Sequence, residues 1–156
     1  MDISIFEPII HGVTNAFEVQ ANIKPKAGKP FYKGSQKREP IGIAGLIGLA
    51  SPKISGSVAL AFPKKVFLGT MSKMLGEEYT EITPDLQDGV AELLNIVFGQ
   101  AKTTLNERGY ALDMAIPNIV SGDSVNLDSI TKGKTVVVPF ETEFGPFYIE
   151  IAIQGI

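Results

Sequence analysis

Apolar residues recur along this chain with two periods, one helical and one alternating, and the boundaries between them are well punctuated. The longest helical stretch is 84–109, where Leu86, Val90, Leu93, Leu94, Val97, Ala101 and Leu105 fall on one broad stripe. Thr83 suits the N-cap, Pro84 the first helical position and Asp85 the first turn, while Arg108 and Gly109 mark the end. A second helix is predicted over 3–22, with Ile5, Phe6, Ile9, Ile10, Val13, Ala16, Phe17 and Ala21 near helical spacing and Pro8 in the first turn.

Between these helices, 24–29 reads as a basic, turn-rich connection and 31–39 as a polar strand near a sheet edge. Runs 41–50 and 54–62, separated by Ser51-Pro52-Lys53, predict a hairpin. In the second run Ile54, Val58, Leu60 and Phe62 share one face, and Ser55, Ser57, Ala59 and Ala61 the other, where small side chains would let a helix lie close. Pro63 opens a short helix over 64–75 that Gly76 ends. After the long helix, 111–116 reads as a strand, 117–134 as mostly loop, and 134–142 with 147–154 as a second hairpin joined through 143–146. Pro139 places its strand at an edge or a bulge. The elements repeat as helix and three strands, a connecting helix, then helix and three strands, without a residue-level repeat. This pattern predicts an α+β domain spanning 1–156, with about six strands and both long helices packed on the sheet.

Composition narrows the chemistry. With 156 residues, 44% hydrophobic and 20% charged, the chain can bury a sizeable core. A formal net charge of −3 argues against a nucleic-acid binder. The absence of cysteine excludes disulfides, thiolate zinc sites and cysteine nucleophiles. The first dozen residues lack the basic region and cleavage site of a signal peptide, and the apolar run 41–50 is too short to span a bilayer, so a soluble, cytoplasmic protein is expected.

Two motif-like stretches fail. Lys132-Gly133-Lys134-Thr135 resembles the end of a P-loop, but Asp128 stands where the first glycine is required and a strand follows where a helix is needed. Gly42, Gly45 and Gly48 are not spaced as G-x-G-x-x-G and suit close backbone packing instead. The single His11 has no serine and aspartate at a spacing that builds a nucleophilic triad.

One constellation remains. Asp88, Glu92, Asn95 and Gly99 fall within an arc of about 60° opposite the apolar stripe of the long helix. Glu92 and Asn95, three apart, project together, and Pro117 follows Asn95 by 22 positions, able to fix a loop beside the helix. The ordinary account of such residues is a solvated helix face.

The pattern Asp88-x3-Glu92-x2-Asn95-x21-Pro117, continued by Gly99-Gln100-Ala101-Lys102, resembles the signature of the CheC/CheX/FliY family of chemotaxis phosphatases. That resemblance implies a CheC-like fold and hydrolysis of the aspartyl phosphate on a CheY-type response regulator. It implies that Glu92 anchors the partner by pairing with the regulator's active-site lysine and that Asn95 orients the attacking water. Asp88 and Pro117 would support the helix and its loop, and Gly99 would leave room where the partner docks. No cofactor of the protein's own is implied; Mg²⁺ is expected on the regulator. The family includes members with one such site in each half. Here Asn15 on the first helix is preceded three positions earlier by Gly12 rather than a glutamate, so a single-site, CheX-like homodimer is expected. The alternative function is a non-catalytic adaptor that binds a regulator or flagellar-switch protein through the same helix.

Overall fold

The computed structural model describes residues 5–114, 117–125, 127 and 134–155. Its elements are α1 (Phe6–Ala21), β1 (Lys26–Ala27), β2 (Phe31–Tyr32), β3 (Ile43–Ala50), β4 (Ile54–Phe62) and α2 (Lys64–Leu75). There follow α3 (Pro84–Glu107), β5 (Asp113–Met114), β6 (Asn118–Ser121), β7 (Val136–Thr142) and β8 (Gly145–Gly155). The helix ends follow their punctuation. Thr83 Oγ1 accepts from Leu86 N at 3.4 Å, Pro84 sits in the first turn, and Gly109 adopts φ 90° beyond the last. Gly76 closes α2 in the same left-handed way at φ 75°.

The strands form one antiparallel sheet in the order β1-β7-β8-β4-β3-β5, with β2 also on β7 and β6 also on β3. Each edge position is therefore shared by two short strands, and the sheet is six positions wide, as the α+β reading expects. The edges are also where sequence and structure part. Of the expected strand 31–39 only Phe31–Tyr32 pairs, because Ser35 N donates to Tyr32 O at 3.0 Å and Gly34 takes φ 88°, turning the chain off the sheet. The connection 24–29 contains β1, and the expected loop 117–134 contains β6, paired with β3 from Ile43↔Ser121 to Leu46↔Asn118. Strands of two to four residues paired on one side carry too little alternation to be read. The strand expected over 111–116 is represented by Asp113–Met114; residues 115–116 and Lys132-Gly133 of the rejected P-loop lie outside the described residues. Pro139 does not lie on an edge strand, because β7 runs between β8 on one side and β1 with β2 on the other. Its carbonyl accepts from Gly28 N at 2.7 Å, so its missing donor faces the gap between β1 and β2.

The register exposes an internal two-fold relation. β5 pairs with β3 through Asp113↔Ala50 and Met114↔Leu49, and β1 pairs with β7 through Lys26↔Glu141 and Ala27↔Phe140. Asn118↔Leu46 answers Phe31↔Val137 in the same way. Throughout, the short strands match at a separation of 87 (26 with 113, 31 with 118) and the long ones at 91 (50 with 141, 46 with 137). Each half thus lends its short strands to the other half's hairpin.

All three helices cover one face. There Val58, Leu60 and Phe62 of β4 meet Phe17, Val90 and Leu94, and the Phe17 and Phe147 rings stack at 4.5 Å. The expectation that a helix lies on the small-residue face of β4 is corrected: Ala59 and Ala61 pack with Ile41, Leu46, Leu127 and Tyr148 on the opposite side. The close helix approach comes instead at Gly45 of β3, where an added Cβ would lie 2.8 Å from Val90 Cγ1 and 3.1 Å from Leu94 Cδ2. Under the small-residue face Glu150 is fully buried (0%), held by Lys33 at 2.8 Å and Arg38 at 2.5 Å. Arg38 also lies over the Tyr148 ring, and Tyr148 Oη accepts from Glu39 N at 3.2 Å, so this polar cluster ties the segment after β2 to the sheet.

Candidate functional site

The geometry of α3 sets its outer surface. Leu86, Val90, Leu93, Leu94, Val97, Phe98, Ala101 and Leu105 are buried, which fixes the helix's rotation and turns the opposite arc to solvent. Asp88, Glu92, Asn95 and Gly99 are all exposed on that arc. The side chains of Glu92 and Asn95 make no hydrogen bond or ion pair with another described residue. A Cβ added at Gly99 would meet nothing within 4 Å. The site is thus a ridge on a rigid element, with free polar groups and a bare step beside them.

Both flanks are built. On one, Gln87 Nε2 donates to Ser121 Oγ at 3.1 Å, and Ile119 shares with Val90 and Leu94 the space above Gly45. β6 therefore runs along α3 in the opposite direction. Half-buried Pro117 directly precedes β6, at the end of that strand away from Gln87. On the other flank α1 crosses closely: an added Cβ at Gly12 would lie 2.6 Å from Val97 O, and Asn15 Nδ2 donates to Gln100 Oε1 at 3.0 Å.

These contacts correct the comparison of Asn15 with Asn95. Two helices related by a two-fold axis touch at equivalent residues, and both crossing contacts join positions 85 apart (12 with 97, 15 with 100). Asn15 is therefore the counterpart of Gln100, and its amide is spent on that bond. The counterparts of Glu92 and Asn95 are Glu7 and Ile10. The first half still lacks a complete pair, but what is missing is the amide and not the carboxylate. Residue identity alone pairs Asn15 with Asn95, and only the helix crossing fixes the offset.

Chemically, the ridge offers a carboxylate for a cationic partner and an amide that can donate to and accept from one water. Among the described residues no group of three His, Cys, Asp or Glu side chains could hold a metal ion.

Residues 43–141 match the profile of the chemotaxis phosphatase CheX family, from β3 through most of β7 and including the whole of α3. The chain belongs to the CheX family. It is 28% identical over 130 residues, 83% of each chain, to the CheY-P phosphatase CheX of Thermotoga maritima. Its fold superposes with a TM-score of 0.90 on a CheC-like superfamily protein from Shewanella sp. PV-4, at 35% identity over 99% of this chain and 100% of that one. A chain in the CheX–CheY–BeF₃–Mg²⁺ complex from Borrelia burgdorferi shares the fold at a TM-score of 0.80 and 24% identity, over 98% of this chain and 99% of that one.

Proposed function

We propose that this chain accelerates hydrolysis of the aspartyl phosphate on a CheY-type response regulator in chemotaxis or another two-component pathway. The observation that carries the reading is the pair of adjacent, exposed side chains, Glu92 and Asn95, with no described partner, on a helix whose rotation the core fixes. In the docked complex Glu92 pairs with the regulator's active-site lysine, and Asn95 holds a water in line with the phosphorus. Phosphoryl transfer needs little covalent help, so positioning and electrostatics suffice. A hundredfold acceleration corresponds to about 2.7 kcal/mol, within the range that orienting one nucleophile supplies. Mg²⁺ belongs to the regulator in this reading. Asp88 and Pro117 support the active turn, and Gly99 leaves clearance for the partner.

The same reading takes the protein as a cytoplasmic homodimer; among the described residues no helix is long and apolar enough to cross a membrane. The test is to phosphorylate the CheY-type regulators of the same genome and follow loss of phosphate with and without this protein. At least one regulator is expected to lose phosphate about a hundredfold faster. Phosphorylation-dependent binding with no acceleration would replace the phosphatase by an adaptor.

A further inference from the structure

We propose that the outer face of α1 around Glu7 is a second docking site for the same regulator, one that holds its partner without hydrolysing it. The inference rests on the reading of α3 given above and follows from the internal two-fold relation. At the helix separation of 85, Glu7 takes the place of Glu92 and Ile10 that of Asn95. At the short-strand separation of 87, Pro30 takes the place of Pro117, and each proline directly precedes its edge strand, β2 or β6. Of Glu92, Asn95 and Pro117, the first and the last thus recur in the first half, in independently placed elements.

The surroundings agree with a docking role. Glu7 is exposed and makes no ion pair with a described residue, so its carboxylate is available to a cationic side chain. Beside it lies a cavity of about 280 Å³ lined by Phe6, Pro30, Phe31, Tyr32 and Val136. Val136 is the counterpart of Gly45 at the long-strand separation of 91, where the second half is filled by Val90, Leu94 and Ile119. The first half therefore pairs the anchoring charge with an open aromatic recess. Ile10 is half-buried and has neither donor nor acceptor, so nothing there can orient a water. A regulator seated at this face keeps its phosphate.

The test titrates the full chain with a CheY-type regulator that the parent protein dephosphorylates, charged with beryllofluoride and Mg²⁺. Two regulators per chain are expected, falling to one in Glu7→Ala and to one in Glu92→Ala, with the phosphatase rate of Glu7→Ala unchanged. In an Asn95→Ala chain, Ile10→Asn is expected to return phosphate loss at least tenfold faster. One regulator per chain with a titration unaffected by Glu7→Ala overturns the proposal while leaving the α3 reading intact. No gain from Ile10→Asn in a chain that melts like its parent overturns the claim that the missing amide silences the site. A parent that dephosphorylates no regulator instead contradicts the α3 reading itself.

Discussion

A glycine in the middle of a helix costs about 1 kcal/mol relative to alanine, yet Gly99 stands on α3 with open space around it. Nothing within 4 Å crowds an added Cβ there, and in the proposed reading it is the docked regulator that needs the clearance. Gly99→Leu is expected to melt no lower than the parent while weakening regulator binding at least tenfold, as read by calorimetry and titration together. Glu92→Ala should likewise leave the melting curve in place, because the side chain is exposed, and weaken docking by about 2–5 kcal/mol. The outward direction of Asp88, Glu92, Asn95 and Gly99 was legible from helical periodicity alone, because a buried stripe on one side leaves no choice for the other. What could not be read was that Asn15 is engaged with Gln100, since that bond depends on how two helices 85 residues apart happen to cross.

At the scale of elements, the packing of the helices turns on two glycines with different neighbours. An added Cβ at Gly12 meets a backbone oxygen, Val97 O, at 2.6 Å, whereas at Gly89 it meets Met71 Sδ, also at 2.6 Å, on a flexible side chain. Gly12→Ala must push α1 and α3 apart and is expected to cost about 1–3 kcal/mol in urea unfolding. Gly89→Ala is expected to cost less than half as much, since the thioether can swing aside and the helix gains an alanine. The helices and both hairpins were readable because each had caps or turn residues and a full period of pattern. The edge strands were not: β1, β2 and β5 have two residues each, and their pairing is decided by partners more than 60 positions away.

For the whole molecule, the sheet separates function from a polar anchor. The helices and the candidate site occupy one face, and the Glu150 cluster lies under the other, with Arg38 joined to Glu150 across 112 residues. Arg38→Ala removes one of the two cations on buried Glu150 and leaves Lys33, so it is expected to destabilise by about 2 kcal/mol, the scale of one hydrogen bond to a charged group. Below its melting temperature the variant should retain the parent's phosphatase rate, because the site lies across the sheet; a lost rate in a folded variant would contradict that separation. The two-fold relation was visible in sequence as an order of elements only. Its residue correspondence emerges from hydrogen-bond register, because the halves share ladder geometry and few side chains.

The central claim is that Asn95 supplies a positioned water and Glu92 a grip. Its most direct test measures, for one phosphorylated regulator, both affinity and the rate of phosphate loss with Asn95→Ala. The account predicts affinity within about threefold of the parent and a rate reduced to the regulator's own. A variant that binds and dephosphorylates as fast as the parent would contradict it.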